Sequence, residues 1–197
     1  MEFAQGLLLS KVEYFIWVLR PNLAITDETD NYLPVGFQEN VDRGLIVPWC
    51  DQRAVLSHSA IGGFLTHCGW NSILESLWAS VPMICHPISV DQQTNRKLVV
   101  DDWKVGINLC DNYDSNNKSI STKEEIAKKI NFLMSEENSK DLRKVIKEVK
   151  KTMEIALLAN GSSEKNFDLF VEDVMAKTKW LFLKLNLHYM ATFVIKP

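Results

Sequence analysis

The chain has 197 residues, 46% of them hydrophobic and 24% charged, which is enough to bury one domain-sized core and short of two. A net charge of -3 with no dense Lys/Arg stripe argues against a nucleic-acid backbone or an anionic membrane as partner. Cys50, Cys68, Cys85 and Cys110 show neither CxxC nor Cys/His metal spacing, so they read as reduced, small core residues, and the pattern calls for no metal or cofactor.

The opening stretch MEFAQGLLLSKVEYF lacks a basic segment before an apolar one and lacks a small-residue cleavage site, so a cytoplasmic location is expected. Residues 2–10 read as a helix and Tyr14 to Leu19 as a buried strand. Arg20 to Asn40 is a polar loop holding Pro21 and Pro34. Then come a strand at Gly44 to Val47, a short helix near Asp51 to Ser57, a strand at Ala60 to Thr66 and a helix from Trp70 to Ala79. A strand at Pro82 to His86, a helix from Asp91 to Trp103 and a strand at Val105 to Leu109 complete the alternation. Continuous apolar strands between helices imply a parallel sheet covered on both faces, a doubly wound, Rossmann-like α/β unit.

Past the polar loop Asp111 to Ser119 the character changes. Ser121 or Thr122 followed three residues later by Glu124 or Glu125 is a capping-box pattern that opens a helix. The next helix carries Leu142, Val145, Ile146, Val149 and Met153 on one stripe, and Asn160-Gly161 stops it. A last helix is expected from Ser163 to Lys177, with Phe167, Phe170, Val171 and Val174 on one face. Beyond Lys179, Leu181, Leu183, Leu185 and Leu187 alternate with other residues at a period of two, which predicts an isolated β-strand. That tail is too short and too interrupted by Lys184, Asn186 and His188 to span a membrane as a helix.

The chemistry gathers between Trp49 and Gln92. His67-Cys68-Gly69 turns from a strand into the helix opening at Trp70, and a helix start offers free N–H groups and partial positive charge to a diphosphate. Asn71 and Ser72 add side-chain donors there. Glu75 follows them by one turn on the same face, where a carboxylate can accept from both ribose hydroxyls. His67 can donate to a phosphate oxygen, Trp49 can stack on a base, and Gln52 can meet an imide edge or a ribose. Asp91 and Gln92 follow a strand's carboxyl end, where ligands of open α/β sheets sit, and their carboxylate and amide suit vicinal sugar hydroxyls. Taken singly, each admits a plainer reading: a loop histidine, a helix cap, a solvated charge, a core tryptophan.

The run WCDQRAVLSHSAIGGFLTHCGWNSILESLWASVPMICHPISVDQ resembles the signature box of plant family-1 UDP-glycosyltransferases, beginning at its Trp and ending at its Gln. GLLLS and FIWVLRP before it, and NRKLVVDDWKVGINL and GSSEKN after it, extend the likeness over residues 2–178. The resemblance implies the donor-binding half of a GT-B glycosyltransferase, with a UDP-sugar domain at 1–178 and an atypical apolar tail at 179–197. It implies that Trp49 stacks uracil, Gln52 contacts uracil or ribose, and Glu75 binds the ribose. By the same likeness His67, Gly69, Asn71 and Ser72 hold the diphosphate, Trp70 lies near the sugar, and Asp91 and Gln92 grip the hexose. A final Gln points to UDP-glucose as the donor.

Three positions depart from the box: Ser80 where a Gly is usual, which strains the turn if its φ is positive; Asp51; and Val90, which has no hydroxyl. The family's catalytic His, its Asp partner and its acceptor pocket belong to an amino-terminal domain that nothing here matches, so no catalytic residue is assigned. The implied reaction is inverting transfer of a hexose to a hydroxyl of a small-molecule acceptor, without a metal. His58, His86 and His188 are poor candidates for the base. Two readings stand: part of a catalytic glucosyltransferase, or a non-catalytic UDP-sugar-binding module or remnant.

Overall fold

The computed structural model describes residues 2–19, 37, 42–110 and 122–193. The expected loops at Arg20 to Asn40 and Asp111 to Ser119 fall almost wholly outside these. Packing divides the chain into two units, Met1–Lys150 and Lys151–Pro197.

The first unit opens with α1 (Glu2–Leu9) and β1 (Phe15–Val18), which pairs in parallel with β2 (Gly44–Val47), Phe15 lying opposite Gly44. A helix leaves its last carbonyls unpaired. Here Arg43 supplies donors: its Nη2 reaches Leu8 O at 2.6 Å and Leu7 O at 3.2 Å, while Nη1 reaches Val12 O at 2.7 Å in the segment that follows. The residue just before β2 therefore fixes where α1 ends.

A second ladder holds β3 (Phe64–Thr66), β4 (Met83–Cys85) and β5 (Gly106–Asn108), all parallel and in sequence order. Ile84 packs with Val12, Leu109, Ile126 and Leu133, so it faces the α1 and α5 side. Side chains alternate along a strand, which sends Met83 and Cys85 to the opposite face. All three are buried, so β4 is covered on both faces, as a Rossmann-like α/β fold requires. The connecting helices are α2 (Gln52–Leu56), α3 (Trp70–Ala79) and α4 (Val90–Lys97). The strand expected from Ala60 is shorter, its pairing with β4 beginning at Phe64, and the residues before it run close under α5, where a Cβ on Gly62 or Gly63 would lie 2.9 Å from Met134 Cε or 2.7 Å from Leu133 Cδ2.

That helix, α5 (Lys123–Met134), starts as the sequence implies: Thr122 Oγ1 accepts from Glu125 N at 3.3 Å while Glu125 Oε2 accepts from Thr122 N at 3.0 Å. In α6 (Lys140–Ala156) Ile146 of the expected stripe is fully buried. The helix expected over Asp91 to Trp103 divides. After α4 the chain runs through a π-turn at Leu98–Asp102, with Trp103 N bonding Leu98 O at 2.8 Å.

In the second unit Asn160, at φ 63, ends the turn after α6, and α7 (Ser162–Phe193) follows. The tail beyond Lys179 is thus helical to Phe193, and the expected β-strand is wrong. No Gly or Pro interrupts residues 162–196, and an established helix adds each further residue at the gain of one backbone bond. Helix extension overrides the two-residue alternation of the leucines.

Candidate nucleotide-sugar site

The site is built on the carboxyl ends of β2, β3 and β4. Asp51 caps α2, its Oδ1 accepting from Ala54 N at 3.1 Å, so this departure from the box serves as a helix start. The cap places Gln52 on the first turn. Its Nε2 donates to Ser72 Oγ at 3.1 Å and to Glu75 Oε2 at 2.7 Å. Three residues drawn from two helices and separated by up to 23 positions thus meet side by side. Glu75 keeps its second oxygen outside this pairing.

Ahead of α3, Cys68 adopts φ 66, a left-handed conformation unusual for a side chain this size. Its N–H is held by Thr66 Oγ1 at 3.2 Å and its carbonyl by Asn95 Nδ2 at 3.0 Å. Gly69 follows, with the His67 ring lying over its Cα. Gly69 has no side chain to cap α3 and no acid stands in its first turn, so the helix start is left with its donors and partial positive charge uncompensated. His67 and Asn71 are exposed beside it.

Asn95 is the residue that the sequence reading missed. It is buried, and the same Nδ2 that holds the Cys68 carbonyl also reaches Asp91 Oδ2 at 3.3 Å. It therefore couples the His67 turn to the first turn of α4. The available signal was its position four residues after Asp91, one helical turn on the same face. Gln92 has a structural task as well: its Oε1 accepts from Ile88 N at 2.8 Å and Ser89 N at 3.0 Å. Asp91 is exposed at this helix start.

Trp70 was expected near the sugar. Its ring lies 6.2 Å from that of Trp103, which the π-turn presents to it, so Trp103 is a second neighbour that the sequence reading left as a helix end. Trp49 stands two residues past β2 and is 70% exposed, with no ring partner among the described residues. Its flat face is open, and the structure does not bring it into contact with Ser72 or Glu75.

Cys68 and Cys85 are buried, as expected of core thiols, and the hydrogen bond between them together with burial pushes the Cys85 thiol up. His86 lies against Phe3, ring centroids 5.2 Å apart, and burial lowers its pKa. His58 Nδ1 accepts from Ala60 N at 3.2 Å. Among the described residues no helix is long and apolar enough to cross a membrane.

The family model described as "UDP-glucoronosyl and UDP-glucosyl transferase" matches residues 28–141, more than half of the chain. The chain belongs to this family. It is 46% identical to UDP-glycosyltransferase 86A1 and 50% identical to UDP-glycosyltransferase 86A2, both of Arabidopsis thaliana, over 94% and 90% of its own length. It covers only 36% and 35% of those relatives, so it spans about a third of a UDP-glycosyltransferase of this type. Among solved structures it is similar to Medicago truncatula UGT71G1 complexed with UDP-glucose, with TM-score 0.73, 35% identity and coverage of 88% of this chain and 36% of that one. Phytolacca americana UGT2, complexed with UDP-2fluoro-glucose and pterostilbene, matches with TM-score 0.73 and 33% identity, over 87% of this chain and 37% of its own. The Rossmann-like α/β fold is thus that of GT-B UDP-glycosyltransferases.

Proposed function

We propose that residues 1–178 form a UDP-sugar-binding domain, with UDP-glucose as donor, and that the complete protein transfers the hexose with inversion to a hydroxyl of a small molecule, in the cytoplasm. The observation that carries this reading is the Gln52–Ser72–Glu75 cluster beside the uncapped start of α3. In it a carboxylate, an amide and a hydroxyl lie within one helical turn of a ready anion site, the spacing between a ribose and its diphosphate.

In this reading Glu75 accepts from the ribose hydroxyls with the oxygen that Gln52 leaves free, and Gln52, whose amide nitrogen is engaged by Ser72 and Glu75, offers its carbonyl oxygen to the ribose or uracil. Trp49 offers its exposed face to the uracil. The diphosphate takes the N–H groups at Gly69 to Ser72 and the His67 imidazole, and Trp70, Asp91 and Gln92 contact the hexose. When an acceptor hydroxyl, deprotonated by a base from the complementary domain, attacks the anomeric carbon, negative charge develops on the departing UDP. The helix start and its hydroxyl and amide donors then stabilise that charge without moving, which is how a fixed dipole accelerates a bond-breaking step.

The second reading is a module that binds UDP-sugar without turnover, favoured by the engagement of His58 and His86 in the scaffold. Isothermal titration with UDP tests the site, and glucose transfer to a panel of flavonols separates the two readings. Heat of binding without product supports the module. Transfer by the chain alone overturns the assignment of the base to other polypeptide, and absence of UDP binding overturns both.

A further inference from the structure

Two of the cysteines meet directly beneath the start of α3. Thr66 is the ladder partner of Cys85, and its carbonyl accepts from His86 N at 2.8 Å and from Cys68 Sγ at 3.7 Å. This shared acceptor brings the Cys68 sulfur to the end of β4, where the Cys85 S–H donates to it. Both side chains are buried, yet Cys68 lies only one residue below the surface, in a turn whose His67 and Trp70 are exposed.

The two thiols are not equivalent. The Cys85 S–H and the His86 N–H are directed at the Cys68 sulfur and the Arg96 guanidinium adds its charge, so the Cys68 thiol is held below its ordinary value although burial opposes this. The same contact and burial push Cys85 up. The thiolate is the nucleophile in thiol oxidation, so Cys68 attacks first and Cys85 follows.

Their backbones differ as well. Cys85 is fixed in the middle strand: its carbonyl accepts from Leu109 N at 3.0 Å, and the next amide bonds Thr66 O. Cys68 sits at φ 66 in a turn held by the Thr66 hydroxyl and the Asn95 amide. A disulfide holds its sulfurs about 2.05 Å apart, well inside the separation of two hydrogen-bonded thiols. Closing that gap therefore moves the turn rather than the strand. Gly69, the next residue, is the N-cap of α3, and its carbonyl accepts the first helical bond from Ile73 N at 3.1 Å.

We propose that Cys68 and Cys85 are an oxidisable pair whose disulfide, formed by hydrogen peroxide, displaces the turn before α3 and releases UDP. The Cys68 thiolate attacks one peroxide oxygen; the O–O bond breaks, leaving a sulfenic acid on Cys68 and a hydroxide. The Cys85 sulfur then attacks the sulfenic sulfur, the S–S bond forms and the hydroxyl departs. The two thiol protons join the two hydroxides as two waters, and two electrons pass from the thiols to the peroxide. A thiol reductant reverses the closure by exchange. The loss of UDP rests on the function proposed above, whereas the disulfide and the moved turn do not.

The test treats the 197-residue chain with a small excess of hydrogen peroxide, unfolds it, alkylates the remaining thiols and digests it with trypsin. The peptide of residues 54–96 has no internal Lys or Arg and holds both cysteines. It is expected two hydrogens lighter and unalkylated, with Cys50 and Cys110 alkylated as before. In the folded chain, oxidation speeds amide exchange at Ile73 at least ten-fold while the Leu109 amide stays protected, and UDP affinity falls at least ten-fold. Dithiothreitol reverses all three changes. In Cys85→Ala the sulfenic acid persists on Cys68 and is trapped by dimedone. Alkylation of both cysteines after peroxide, or a sulfinic acid on Cys68 with Cys85 alkylated, overturns the proposal. A disulfide that leaves Ile73 exchange or UDP affinity unchanged overturns the displacement. A reduced chain that binds no UDP, yet closes the disulfide and loosens Ile73, brings down the nucleotide reading and upholds the oxidisable pair.

Discussion

Gln52 and Glu75 lie 2.7 Å apart, nitrogen to carboxylate oxygen, across the junction of α2 and α3. This contact converts a flexible carboxylate into a positioned one, because only one of its oxygens remains to be turned toward a ligand. Ser72, one turn earlier on α3, accepts from the same amide at 3.1 Å, so a single side chain links all three.

Glu75→Ala removes the acceptor proposed for the ribose. The loss expected is that of a charged hydrogen bond, about 1.5–3 kcal/mol, or roughly ten- to hundred-fold in UDP affinity. Titration calorimetry measures it, with far-UV circular dichroism unchanged. Equal affinity in the variant would remove Glu75 from the site.

Ser80 holds φ 57 at the end of α3, where its N–H bonds Leu77 O and the Val81 N–H bonds Ser76 O. This is the left-handed helix stop that glycine occupies at least cost. Ser80→Gly relieves about 1 kcal/mol of strain, less a few tenths for the freer unfolded chain. The melting temperature should rise by about 2 °C for a chain of this size. A fall in that temperature would show that the serine is not strained there.

Asn95→Ala strands the carbonyl of Cys68, a fully buried residue. An unsatisfied buried acceptor costs about 1–3 kcal/mol, read as a lower urea midpoint. Asn95→Asp should lose more, since it sets a carboxylate against that carbonyl and against Asp91. Wild-type midpoints in both variants would mean that the turn before α3 holds itself.

His86 has its pKa lowered from the ordinary 6.5 by burial, so the folded state prefers the neutral ring. As pH falls below 6.5 the unfolded chain takes up this proton more readily than the folded one, and stability declines. Above that pH the contribution is fully present. His86→Gln should therefore narrow the stability gap between pH 7 and pH 5 relative to wild type, measured by urea unfolding at each pH. An identical pH dependence in both proteins would assign the acid sensitivity elsewhere.

Much of this was legible from residue patterns and some was not, for identifiable reasons. Strand β2 and helix α3 have the bounds expected, because apolar runs bracketed by Gly and polar residues declare their own ends. The Thr122–Glu125 box was readable since both partners are local. Arg43 closing α1 and Asn95 closing the Cys68 turn were not, since each acts on a segment 27 or more positions away. The π-turn that delivers Trp103 to Trp70 leaves no mark on a 3.6-residue period, which a single wide turn hardly disturbs. The tail misled for the opposite reason: its leucines carry a clear two-residue rhythm, yet continuation from α7 decides its conformation.

The grip of Ser89 and Ile88 on the Gln92 oxygen has a stereochemical corollary. An amide so anchored cannot exchange its two ends, so toward the solvent it shows hydrogens only, whereas its neighbour Asp91 shows lone pairs only. On the function proposed above, two adjacent sugar hydroxyls laid across this doublet would orient in opposite senses, one accepting from the amide and the other donating to the carboxylate.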